Sequence, residues 1–129
     1  MSHNILIVDD SATTRAMVKR IVSLCGVTTG AVLEAADGKE ALEVLDSCAV
    51  DLVLADLHMP NMGGVELCQR IAADPTLRHI PVVIVSADPN AGRIEELKRQ
   101  GARGYLAKPF TPESFREVLT TVLGAPANA

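Results

Sequence analysis

The sequence has no tryptophan, one tyrosine and two phenylalanines in 129 residues, so its core has to be assembled from Val, Leu, Ile, Ala and Met. The same scarcity removes the usual platforms for stacking on bases or sugars. Positive charge is not in surplus either: 12 Lys and Arg against 16 Asp and Glu leave a net charge of -4. Without a basic stripe there is little to neutralise a phosphate backbone, which argues against direct nucleic-acid binding. A CxxC pair is absent, and the three cysteines, Cys25, Cys48 and Cys68, are odd in number. Each sits in or beside an apolar helical pattern, so the expectation is reduced, mostly buried thiols. No window reaches the roughly 20 apolar residues of a membrane span, and residues 1–4 lack the basic start of a signal peptide. The expectation is a soluble cytoplasmic protein with no membrane partner. At this length the expectation is a single domain over residues 1–124, followed by a disordered Ala-rich tail over 125–129.

What is present is an alternation. Short, continuous apolar runs occur at Ile5–Val8, Leu52–Ala55, Val82–Val85 and, more weakly, Tyr105–Ala107, with a fifth at Ala31–Ala35. Unbroken runs suit strands covered on both faces, as in a parallel sheet between helices. Between them lie segments of helical spacing. Met17, Val18, Ile21, Val22 and Cys25 form a stripe after Ser11; Phe115, Val118, Leu119 and Val122 form another near the end. Asp37 with Glu40 makes a capping box, and Thr111 before Pro112 marks another helix start. Further helices are expected over Gly64–Ala73 and Ala91–Gln100, the latter apolar chiefly at Ile94 and Leu97. Five strand–helix alternations with short connections predict a five-stranded α/β sandwich.

Parallel sheets bind ligands at the carboxyl ends of their strands, so the residues after each run are the ones to inspect. They are Asp9 and Asp10, Asp56, Ser86 and Lys108. Singly, each has an ordinary structural use as helix cap, turn residue, backbone partner or solvated side chain. Together, three carboxylates at one mouth would repel by about 3 kcal/mol per close pair at an effective dielectric near 20. Something positive must sit among them. Lys108 supplies one charge, and a hard divalent cation suited to oxygen ligands, magnesium, supplies the rest. A carboxylate beside magnesium, an ammonium and a hydroxyl is equipped to attack phosphorus.

These residues resemble a family, the response-regulator receiver domains, over about Asn4 to Leu123. The resemblance rests on Asp9-Asp10 closing the first strand, on Asp56-Leu57-His58-Met59-Pro60-Asn61-Met62-Gly63-Gly64, on Ser86-Ala87, and on Lys108-Pro109-Phe110 after Gly101-Ala102-Arg103-Gly104-Tyr105. It implies a flavodoxin-like, doubly wound sandwich with strand order 2-1-3-4-5. It implies that Asp56 accepts a phosphoryl group from a sensor histidine kinase or a phosphotransfer protein. Magnesium would be held by Asp10, Asp56 and the backbone carbonyl of His58, with Asp9 helping through water. Lys108 would pair with the phosphoryl oxygens and Ser86 would swing in to bond one of them. Tyr105 would turn inward as that hydroxyl moves, or simply cap the sheet edge; the face formed by the fourth helix, fifth strand and fifth helix would signal to a protein target. The His58 imidazole should lie outside the metal shell, and His3 and His79 on the surface. The Lys108–Pro109 bond is expected to be cis. His58 and Asp88 should overhang the site and tune attack by water. Ser86 replaces the commoner Thr, and Gly63 stands where many relatives carry Asp.

Two other classes compete. A magnesium-dependent phosphohydrolase with an aspartyl nucleophile usually carries an acid two residues beyond it, where this chain has His58, and a substrate cap for which 129 residues leave no room. A flavodoxin-like cofactor binder would want a phosphate cradle where Asp9 and Asp10 stand. The chain reads as either a free-standing regulator or a receiver from a longer protein.

Overall fold

The computed structural model describes residues 3–25, 29–87, 91–108 and 110–123. The chain runs β1 (His3–Val8), α1 (Ala12–Leu24), β2 (Thr29–Ala35), α2 (Gly38–Ser47), β3 (Leu52–Asp56), α3 (Gly64–Ala73), β4 (Val82–Ser86), α4 (Ala91–Arg99), β5 (Gly104–Ala107) and α5 (Pro112–Leu123). The strands form one parallel sheet in the order β2-β1-β3-β4-β5. Two strands end later than their apolar runs suggest: Asp56 and Ser86 are the last residues of β3 and β4. Both are therefore held by the sheet itself.

The unbroken apolar runs are explained by two half-cores. Leu6, Val8, Val53, Ala55, Val82 and Ile84 face one side, against Ala41 and Leu45 of α2, Leu67 and Ile71 of α3, and Leu97 of α4. Their neighbours in sequence, Ile5, Ile7, Leu52, Leu54, Val83 and Val85, face the other, against Val18 and Val22 of α1 and Phe115 and Leu119 of α5. Side chains alternate across a strand, so covering both faces requires every position to be apolar.

Helix starts follow the sequence signals. Ser11 Oγ accepts from the Thr14 N–H at 3.2 Å, and Asp37 Oδ1 from that of Glu40 at 2.8 Å. The Glu40 carboxylate returns to the Ala36 N–H, one residue before the cap. Thr111 and Ser114 cap reciprocally at 3.1 and 3.0 Å. The start of α3 has no side-chain cap and depends on close approach instead. A Cβ on Gly64 would stand 2.6 Å from the Asp56 carbonyl oxygen, so the chain turns back onto the end of β3 only with glycine there.

One expectation is corrected. Met17 does not belong to the buried stripe of α1: it is 54% exposed, because Val18 and Val22 with Cys25 already cover the sheet at that angle of the helix. Cys25 and Cys68 are buried, but Cys48, at the C-cap of α2, is exposed. Burial pushes the Cys68 thiol up to about 12, so it is chemically inert. His79 is exposed and His3 half-buried. Asp88, Pro109 with its peptide bond, the side chain of Ile94 and the tail over 125–129 lie outside what the structure describes. Among the described residues no helix is long and apolar enough to cross a membrane.

These two environments generate a paired prediction. Phe115→Ala, at a wholly buried side chain, should cost about 3–5 kcal/mol, whereas Met17→Ala should stay within about 0.5 kcal/mol. Denaturant unfolding of both variants checks it; equal losses would return Met17 to the core.

Candidate functional site

Four strand ends converge. Asp9 and Asp10 follow β1, Asp56 closes β3, Ser86 closes β4 and Lys108 follows β5. The connection from β1 leads to α1 on one face and that from β3 to α3 on the other, which opens a crevice between neighbouring strands. Carboxylate oxygens of Asp9, Asp10 and Asp56 all lie within 4.8 Å of one another. Lys108 Nζ donates to Asp56 Oδ1 at 3.2 Å and to Asp9 Oδ2 at 3.3 Å.

Asp9 is buried and tied at every polar atom. Its N–H donates to the Ala35 carbonyl at 3.0 Å, continuing the β1–β2 ladder. Its carbonyl accepts from Arg15 Nη1 at 2.6 Å, its Oδ1 from the Ser11 N–H at 2.9 Å, and its Oδ2 from Lys108. Asp10 is exposed, and Asp56 is half-buried. Burial raises the Asp56 carboxyl above its ordinary value; the Lys108 bond and charge oppose this, and the Asp9 charge adds to it. Burial works against the Lys108 ammonium as well, yet the carboxylates of Asp56 and Asp9 hold it above its usual value. One ammonium serving two acids explains why it gains while Asp56 does not.

Ser86 is buried, and its backbone carbonyl accepts both the Lys108 N–H at 2.8 Å and the Tyr105 hydroxyl at 3.3 Å. The Tyr105 ring is half-buried and packs on the α2–α3–α4 side of the sheet, so its hydroxyl is engaged rather than merely wetted at the sheet edge. His58 is exposed and Ala87 presents only a methyl beside Ser86. An apolar hollow of about 340 Å³ between Met17, Ile21 and Phe110 reaches Lys108. A groove of about 840 Å³ between α2 and α3 touches none of these groups.

The donor set fits a hard divalent cation. Three carboxylates against one ammonium leave two negative charges over, and every donor is oxygen, the preference of magnesium. Geometry also brings in residues that motif reading passes over. Arg15 on α1 and Glu34 on β2 form a pair at 2.9 Å, and Arg15 holds the Asp9 carbonyl; Glu34 is brought beside β1 by its pairing with Ile7. Asn61, at a left-handed φ of 65°, donates through Nδ2 to Asp37 Oδ2 at 2.7 Å and ties the β3–α3 loop to α2. An Asn two residues before a glycine was the available signal for that turn; Arg15 offered none beyond a polar helix face.

Comparison with known proteins agrees with this geometry. The pattern of the response regulator receiver domain matches residues 5–120. The chemotaxis protein CheY of Pseudomonas aeruginosa is 38% identical over 118 residues, covering 92% of this chain and 94% of that protein. The solved chemotaxis response regulator CheY4 of Vibrio cholerae superposes with a TM-score of 0.83 at 31% identity, over 95% of this chain and 99% of that one. The receiver domain of a sensor histidine kinase from Pseudomonas aeruginosa, solved with magnesium coordinated in its active site cleft, gives 0.82 at 25% identity, over 97% and 100%.

The charge imbalance generates a prediction for metal-free protein. A carboxyl raised on folding weakens the fold once pH exceeds its folded value, and the penalty disappears as pH falls below its unfolded value. Asp56→Asn should therefore melt higher than the parent at neutral pH in a chelating buffer. That advantage should shrink on acidification. An unchanged or lower melting temperature at neutral pH would show that Lys108 already balances the cluster.

Proposed function

The chain belongs to the response regulator receiver domain family, and on that premise we propose that it is switched by a phosphoryl group carried on Asp56. The observation that carries this reading is Lys108 Nζ lying between Asp9 and Asp56 while Asp10 completes the acidic cluster. The domain catalyses its own phosphorylation and its own return; it is a signalling module and not an enzyme with an external substrate.

The donor is a phosphohistidine on a sensor histidine kinase or a phosphotransfer protein. An Asp56 carboxylate oxygen attacks phosphorus; the new O–P bond forms as the N–P bond breaks, and the electron pair leaves with the imidazole, which takes up a proton. Lys108 remains protonated and meets the phosphoryl oxygens, stabilising charge that is spread over them. Asp10 and Asp56 would ligate magnesium directly, with the His58 carbonyl as a third protein ligand and Asp9 acting through water; the metal supplies further charge neutralisation at the same oxygens. The exposed His58 imidazole is left outside this shell.

The readout runs through Ser86. Its hydroxyl gains a bond to the phosphoryl group after transfer, and Ser86 already shares its carbonyl with Tyr105 and Lys108. A shift of β4 toward the phosphoryl group would therefore move Tyr105 and remodel the face formed by α4, β5 and α5, to which a downstream protein target binds. A contact present in only one state is what biases a two-state element.

Two outcomes are expected. Incubated with a small acyl phosphate and magnesium, the protein should gain the mass of one phosphoryl group without hydrolysing phosphate monoesters, and Asp56→Asn should gain none; an equal gain in that variant sinks the assignment. With beryllofluoride as phosphoryl mimic, Ser86→Ala should still accept phosphate but show a reduced amide-shift response over residues 87–123, whereas Lys108→Ala should lose both. If Ser86→Ala keeps the full wild-type response, the hydroxyl is not the trigger.

A further inference from the structure

We propose that Arg15, held in place by Glu34, is a positioning residue for the acidic pair, aiming the Asp10 carboxylate at the metal by fixing the carbonyl of Asp9. This rests on the magnesium reading above and adds to it a group outside the metal's own ligands.

Among the described residues nothing donates to the Asp10 carboxylate, which is exposed, so its direction has to come from its backbone. The Asp9 carbonyl and the Asp10 N–H and Cα belong to one rigid peptide plane. Whatever fixes that carbonyl fixes the plane, and with it the N–Cα bond from which the Asp10 side chain leaves; the next plane, held through the Ser11 N–H, limits the remaining rotation. Asp9's own N–H, bonded to Ala35, belongs to the preceding plane. The Ser11 N–H, bonded to Asp9 Oδ1, belongs to the following one. Among the described residues only Arg15 Nη1, at 2.6 Å, holds the plane between them.

Arg15 is well suited to that task. Its Nε donates to Glu34 Oε1 at 2.9 Å while Nη1 reaches Asp9, so the planar guanidinium is gripped on two edges. Its side chain is only 18% exposed. Glu34 pairs in register with Ile7 on the neighbouring strand, which places the anchor beside the end of β1. Lys19 touches the second oxygen of Glu34 at 3.4 Å from an exposed position and is a lesser partner.

Charge and positioning make opposite demands here, which gives the test its sign. As a nearby cation, Arg15 works against binding of another cation, so charge alone would have its removal tighten magnesium. As the clamp on the Asp9 carbonyl, its removal should loosen it. Groups that orient a metal's ligands typically contribute 10-fold to 100-fold in affinity, and we expect about ten-fold for Arg15→Ala because it acts through backbone.

The experiment is magnesium titration by amide NMR, well below each variant's melting transition so that global instability leaves the result untouched. The set comprises wild type, Arg15→Ala, Arg15→Lys, Glu34→Gln, the Arg15→Ala/Glu34→Gln pair and Asp10→Ala. Arg15→Lys, which keeps the charge but loses the fork, should be intermediate. Glu34→Gln should lose less than Arg15→Ala, and the pair no more than Arg15→Ala alone, since Glu34 acts through Arg15. In phosphorylation assays the magnesium needed for half-maximal rate should rise more than the saturated rate falls. Affinity equal to or tighter than wild type in Arg15→Ala overturns the inference, provided Asp10→Ala has lost magnesium; undiminished binding in Asp10→Ala would instead overturn the metal reading on which it stands.

Discussion

Three carboxylates gather at one edge of the sheet with a single ammonium between two of them, and most of the molecule is arranged so that this can be tolerated. Their oxygens lie within 4.8 Å of one another, a separation at which like charges repel by about 3 kcal/mol per pair at an effective dielectric near 20. A flexible loop would relieve that by moving apart. Here Asp56 is the last residue of a central strand, Asp9 continues the β1–β2 ladder, and Lys108 is bonded through its N–H to the end of β4. The repulsion is therefore stored rather than released, and the site is left with a standing demand for positive charge. That demand suits a cation with a preference for oxygen ligands.

The stiffness that stores it comes from the two half-cores. Strands β1, β3 and β4 are buried along almost their whole length, with successive residues committed to opposite faces. A one-residue slip would exchange the two half-cores, so register is strongly specified. Carbonyls, carboxylates and the lysine are thus delivered to one edge at fixed spacing. The loop from β3 to α3 achieves the same by close approach: Gly64 sits against the Asp56 carbonyl, and Asn61 ties the loop to Asp37. The backbone N–H of Glu40, then Asn61, hold the Asp37 carboxyl below its ordinary value.

The strands, the helix starts and the residues at the strand ends were legible because each depends on local chemistry. Apolar runs, capping residues and the glycine pair announce themselves in one dimension. What was not legible depends on angle or on pairing. Met17 fits the helical period yet points away from the sheet, because the stripe is wider than the surface it covers. Cys48 lies at the very end of α2, where periodicity no longer says which way a side chain faces. Arg15 and Glu34 are separated by nineteen residues, and their meeting is decided by the β1–β2 register rather than by any motif.

The same rigidity sets the terms for signalling. A site this tightly held cannot respond by gradual deformation, so a response has to use a group with two discrete arrangements. On the proposed reading that group lies at the end of β4. Ser86 is buried, and its carbonyl is shared by the Tyr105 hydroxyl and the Lys108 N–H. On the proposed reading, drawing the Ser86 hydroxyl toward a phosphoryl group competes with an arrangement that also involves the residue contacting phosphate and the aromatic on β5. Chemistry and output then meet at one backbone oxygen. The Tyr105 bond, at 3.3 Å, is the longer of the two, and its ring is only half-buried. Lys108 is committed to two carboxylates and, through its N–H, to the end of the strand.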